Sequence, residues 1–153
     1  FLLRDDIETI HAATDLLAEA KLSPELRNEA LYYRAKAYTK QKADKKAVDD
    51  LRELAKDTRN AYGAEAKYLV AQSLYDAKEY NAAEKELLNY IEQSTPHAYW
   101  LARSFVLLSD VYAAMGKELD ARQYLLSLQQ NYQGNDDIAT MIESRLSKLK
   151  VKN

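Results

Sequence analysis

Three positions set small side chains at nearly equal intervals along this 153-residue chain, and that recurrence constrains the fold more than any other feature. Ala35, Ala71 and Ser109 stand 36 and 38 residues apart. Twelve residues after each comes an alanine (Ala47, Ala83, Ala121), and sixteen after each a leucine (Leu51, Leu87, Leu125). Three residues after each comes Tyr38, Leu74 or Tyr112. A sequence that repeats its small, aromatic and leucine positions together repeats one packing unit. A unit this short buries only part of its apolar surface until a neighbour stacks on each side.

The unit is clearest between Phe105 and Leu128. Phe105, Leu108, Ser109 and Tyr112 fall at i, i+3, i+4 and i+7, one face of a 3.6-residue helix. Gly116 then supplies a residue that adopts the left-handed backbone cheaply and ends the helix. Ala121, Leu125 and Leu128 form the stripe of a second helix. Ser109 and Ala121 let the two backbones approach, and Tyr112 and Leu125 fill the space beside them.

This pattern of a small residue, Tyr, turn Gly and then Ala resembles the tetratricopeptide repeat family over Asn28 to about Gln133. The resemblance implies an all-α, right-handed α-solenoid of stacked antiparallel helix pairs, about eight helices in one domain. It divides the chain into a truncated leading repeat (1–22), three repeats (24–60, 61–95, 96–133) and a capping helix (135–150). The chain departs from the family in places. Arg34 and Lys67 stand where an apolar residue is usual, Lys42 and Lys78 replace the turn glycine, and the period exceeds the usual 34.

The helices predicted from pattern are Phe1–Leu22, Pro24–Gln41, Lys45–Asp57, one from Asn60 to Ala77, Tyr80–Gln93, one opened by Thr95-Pro96 and running to Met115, and Glu118–Tyr132. Ser23 before Pro24 reads as a helix start, and Asn135 as the cap of the last helix, with Asp136 and Asp137 in its first turn. No segment alternates with period two, so no strand is expected. Tyr38 and Tyr112, with Tyr90, Tyr124 and Tyr132, are assigned to packing between helices.

Composition narrows the chemistry. The formal charge of −2 argues against a dominant nucleic-acid or anionic-membrane surface. The lysines at 40, 42, 45 and 46 surround a turn that also carries Asp44, Asp49 and Asp50, and read as a solvated turn. Lys148, Lys150 and Lys152 read as cations at a helix C-terminus. With no cysteine and two histidines, nucleophilic triads have little material. Glu8 and His11 form half of a di-iron signature whose other half is absent, so no metal or cofactor is expected. No apolar run approaches the roughly 18 residues of a membrane-spanning helix.

The resemblance places a concave groove on the first helix of each pair. Its positions are Glu29, Tyr32, Lys36, Thr39 and Lys40 in the first copy, and Glu65, Tyr68, Gln72, Tyr75 and Asp76 in the second. In the third they are Arg103, Val106, Asp110, Ala113 and Ala114. The expected peptide-binding residues are Tyr32, Lys36, Lys40, Tyr68, Gln72, Tyr75, Arg103 and Asp110, aromatics with polar partners. In the subfamily that grips chaperone tails, a lysine and an asparagine stand where this chain has Tyr32 and Lys36, so that ligand is not expected.

The function implied is a non-enzymatic module that binds a peptide or partner protein. The alternatives are an architectural end of a longer solenoid and an RNA-binding helical repeat, the latter opposed by Glu29, Glu65, Asp76 and Asp110 in the groove. The third copy is similar to bacterial tetratricopeptide proteins of the cell envelope, which implies the periplasm, with the cytoplasm as the alternative. The apolar opening Phe1-Leu2-Leu3 leads to the expectation that further repeats precede Phe1. It also suggests a monomer that self-associates weakly through Ile7, Ile10 and Leu17.

Overall fold

A computed structural model describes residues 5–93 and 95–150. These residues form eight helices and no strand: α1 (Asp6–Leu17), α2 (Pro24–Lys40), α3 (Asp44–Leu54), α4 (Ala61–Asp76), α5 (Tyr80–Glu92), α6 (Ala98–Ala114), α7 (Glu118–Asn131) and α8 (Ile138–Lys150). The chain divides into two compact units, 1–70 and 71–153, with the boundary inside α4. In the first unit α2 packs against α1 and α3; in the second α6 packs against α5, α7 and α8, and α7 also packs against α8.

The small-residue, alanine and leucine columns are buried throughout, whereas in the remaining column Tyr112 is buried and Tyr38 and Leu74 are half-buried. Ala35, Ala71 and Ser109 are each at most 1% exposed, as Ala83 and Ala121 are at 0%, and Ala47 and the leucines Leu51, Leu87 and Leu125 lie in the core with them. The same turn closes α2, α4 and α6. Lys42, Lys78 and Gly116 adopt left-handed backbone, with φ of 59°, 62° and 78°. The amides of Ala43, Glu79 and Lys117 donate back to the carbonyls of Tyr38, Leu74 and Tyr112 at 2.8, 2.9 and 2.8 Å. Those of Lys42, Lys78 and Gly116 donate to Thr39, Tyr75 and Ala113. This pair of bonds satisfies carbonyls that a helix end leaves orphaned. The carbonyls of Ala43, Glu79 and Lys117 then accept from Ala47, Ala83 and Ala121, opening the next helix without a side-chain cap. The turn that Gly116 announces therefore recurs where lysine replaces glycine.

Side-chain caps mark the starts of α2 and α4: Ser23 accepts from Leu26 N at 3.2 Å, and Asn60 Oδ1 accepts from Gly63 N at 2.8 Å. Several predicted boundaries move. The first helix stops at Leu17 and is capped by Asp5, which accepts from Glu8 N; residues 1–4 lie outside the described residues. The sixth begins at Ala98 and not at Pro96, because the Thr95 hydroxyl bonds to Tyr90 Oη at 3.2 Å instead of capping. The last begins at Ile138. Asp136 accepts from Ile138 N at 3.0 Å and the Asp137 carbonyl from Met141 N, so the role assigned to Asn135 falls to the two aspartates.

In the second unit, α8 sets Ile138 and Ile142 in one cluster with Ala102, Val106, Leu125 and Leu128, with Tyr99, Phe105 and Tyr132 at its margin. Phe105 and Tyr112 both pack against the Tyr124 ring, at 5.7 and 5.6 Å between centroids, and Tyr90 is fully buried. Among the described residues no helix is long and apolar enough to cross a membrane.

Candidate functional site

The predicted groove residues fall into two settings, one in each unit. In the first, α2 presents Tyr32 and Lys36 one turn apart, and both reach Glu65 on α4. Tyr32 Oη donates to Glu65 Oε1 at 3.0 Å, and Lys36 Nζ donates to Oε2 at 2.6 Å while lying 5.1 Å from the Tyr32 ring centroid. Burial, then the Glu65 charge, pushes the Tyr32 hydroxyl well up, so it stays a neutral donor. Tyr62 stacks obliquely on Tyr32 at 4.7 Å, and Tyr33 meets it edge-on at 5.3 Å. Glu65 is thus satisfied on both oxygens, and the surface beside it is aromatic. Lys40 is exposed at the end of α2. Tyr68 is only 5% exposed; its ring belongs to the core, and it offers little surface to a ligand.

The second unit holds a cleft of about 320 Å³ lined by Tyr75, Ser109, Asp110, Ala113, Arg145, Lys148 and Leu149. Three of these residues, Tyr75, Asp110 and Ala113, are groove positions expected from the sequence. Asp110 is held by a two-point ion pair, Arg145 Nε to Oδ1 at 3.0 Å and Nη2 to Oδ2 at 3.1 Å. Arg145 Nη1 turns to the Met141 carbonyl. Burial, followed by the Asp110 charge, raises the Tyr75 hydroxyl, which is therefore protonated at neutral pH. The Tyr80 ring stands 5.7 Å from that of Tyr75. The size, with polar and apolar groups sharing the lining, matches a small binding site.

Gln72 lies outside this cleft and donates to Asp76 at 2.8 Å. Arg103 is held by Tyr99, to whose hydroxyl it donates at 2.9 Å, and lies 6.0 Å from the centre of the Trp100 ring. Arg145, Lys148 and Leu149 had no place in the sequence-based groove. Their signal was present: Met141, Arg145, Lys148 and Leu149 fall at i, i+4, i+7 and i+8 and share one helix face. Glu8 and His11 are exposed on α1, and among the described residues no three His, Cys, Asp or Glu side chains converge.

Together these features define a class: an all-helical protein of repeated helix–turn–helix units, with a polar cleft where α4, α6 and α8 meet. Among solved structures the chain is similar to the crystal structure of MamA, a tetratricopeptide-like helical protein, with a TM-score of 0.60 over 94% of this chain and 88% of that one. Identity is 20%, so the likeness shows the fold. No family model matches the chain, and no curated protein matches it.

Proposed function

We propose that the chain is a tetratricopeptide-type interaction module, non-enzymatic, that docks an extended segment of a partner protein against the first helices of its repeats. The observation that carries this reading is the cleft. Groove positions inferred from the repeat, Tyr75, Asp110 and Ala113, line one cavity with Arg145 and Lys148 from the last helix. The buried columns and the thrice-repeated turn support the tetratricopeptide register that placed those positions there.

Site-specific photo-crosslinking tests it in the cells that make the protein. A crosslinker at Ala113, exposed in the cleft, is expected to capture a partner, whereas one at Leu119, 83% exposed on α7, is not. Equal capture at both positions, or capture at Leu119 alone, would overturn the assignment of the groove.

A further inference from the structure

We propose that the cleft of the second unit takes a glutamate side chain of the partner segment, with Lys148 as its cation and the Tyr75 hydroxyl as a neighbouring donor. The inference rests on the peptide-docking reading above and names the chemistry of the docked residue.

Charge bookkeeping within the cleft leads to this choice. Asp110 and Arg145 cancel: both carboxylate oxygens accept from the guanidinium, and the remaining guanidinium nitrogen facing Met141 is spent on a backbone carbonyl. Lys148 is the remaining charged residue of the lining, is exposed, and pairs with no described carboxylate. The lining therefore carries one net positive charge. Such a cleft favours one carboxylate over a neutral amide and disfavours a second cation.

The walls argue for a glutamate in particular. Ala113, Leu149 and the Tyr75 ring supply an apolar surface on which methylenes can lie, and Lys148 belongs to the same lining. A side chain with two methylenes and a terminal carboxylate matches both parts. Lys148 also sits in the last turn of α8, where it meets the negative end of the helix dipole. If that were its whole role, the cleft would show no preference for acid.

The test is a heteronuclear NMR titration of the whole chain with three probes. These are a capped pentapeptide Ala-Ala-Glu-Ala-Ala, the same peptide with Gln for Glu, and the Gln peptide with a free C-terminal carboxylate. The capped Glu probe is expected to shift amides at 109–113 and 145–149 and to bind about fivefold more tightly than the Gln probe, as a partly exposed ion pair allows. Lys148→Gln, on an exposed helix face, is expected to abolish that difference without unfolding the chain. Equal binding of Glu and Gln peptides in the cleft would overturn the carboxylate inference and leave the docking reading standing. Failure of all three to bind, a preference that survives Lys148→Gln, or tighter binding of the free C-terminus would also overturn the inference, the last assigning the cleft to a chain end. The docking reading fails independently, through the crosslinking result.

Discussion

The two units solve one packing problem with opposite chemistry. In the first, the residue before the small-residue column is Arg34, and its partner on the next helix is Asp50. Arg34 Nε and Nη2 donate to the two carboxylate oxygens at 2.8 and 2.6 Å, and Nη1 reaches Thr14 on α1 at 3.1 Å. Asp50 is 4% exposed. In the second unit the same two positions of the repeat are Leu108, fully buried, and Tyr124, whose ring packs on Phe105 and Tyr112. The backbone turn is shared and the interhelical contact is not. A repeat therefore fixes where its helices approach and leaves open what fills the approach. An ion pair there orients three helices in one network, at the cost of desolvating two charges; an apolar pair packs without that cost.

The largest effect that would sharpen this contrast is at the tyrosine column. Tyr112 is 7% exposed, and its hydroxyl interacts with Glu84. Tyr38, its equivalent, is half-buried, with Arg34 and Lys46 both within 5.8 Å of its ring centre. Tyr112→Ala is expected to cost about 3–5 kcal/mol, the range of a large buried aromatic. Tyr38→Ala is expected to cost about 1–2 kcal/mol, since a half-buried ring with cations beside it loses less burial and cation–π contact. Denaturant midpoints would measure both, and equal losses would erase the distinction between the units.

The ion pair itself comes next. Asp50→Ala leaves the Arg34 guanidinium facing a buried hole and is expected to cost about 3 kcal/mol. Arg34→Met combined with Asp50→Leu, which imitates the apolar solution of the third copy, is expected to recover most of that loss. A double variant as unstable as the single one would mean that the bridge to Thr14, and not the charge balance, holds the first unit together.

Much of this was legible in the sequence because burial is periodic. The three columns, the left-handed turn at Gly116 and the starts at Ser23 and Asn60 all follow from spacing and side-chain type. Spacing does not specify the outcome where one side chain has a choice of partners. Thr95 bonds to a tyrosine instead of capping, and two adjacent aspartates, not Asn135, serve the start of α8. At the site, the repeat placed Tyr75 and Asp110 together, but it could not supply Arg145 and Lys148, because the last helix lies outside the repeating unit. Tyr68 is buried for a reason that spacing does not reveal: a tyrosine at a groove position looks the same in sequence whether its ring points out or in.

Two glycines separate the units again, by smaller amounts. Gly63 lies in the first turn of α4, against the preceding loop. A Cβ there would press on the Asp57 carbonyl and stand 2.8 Å from the Leu54 oxygen, both backbone atoms. Gly116 has open space around a Cβ but a φ of 78°. Gly63→Ala is expected to cost about 3 kcal/mol, the upper end for overpacking against groups that cannot rotate away. Gly116→Ala is expected to cost about 1 kcal/mol, the penalty of left-handed backbone alone. Reversed costs, read from thermal midpoints, would mean that the helix–loop contact in the first unit relaxes more easily than the turn in the second.

The smallest effect concerns the turns the two units have in common. Lys42 in the first and Lys78 in the second hold the same left-handed backbone as Gly116, with φ of 59° and 62°. Each closes the same two backbone bonds, so the geometry is imposed by the helix ends and not chosen by the lysine. Both lysine side chains are exposed, and neither makes an ion pair among the described residues. Glycine adopts this conformation without a Cβ penalty but also gains freedom in the unfolded chain, so the two terms partly offset. The steric term is the larger for a residue other than Asn or Asp. Lys42→Gly and Lys78→Gly are each expected to stabilise by about 0.5 kcal/mol, additively, because the turns share no partner. Lys78→Ala keeps the Cβ and should change stability by less than about 0.3 kcal/mol. A glycine variant less stable than its parent would show that the lysine contributes an interaction at the turn large enough to outweigh its backbone strain.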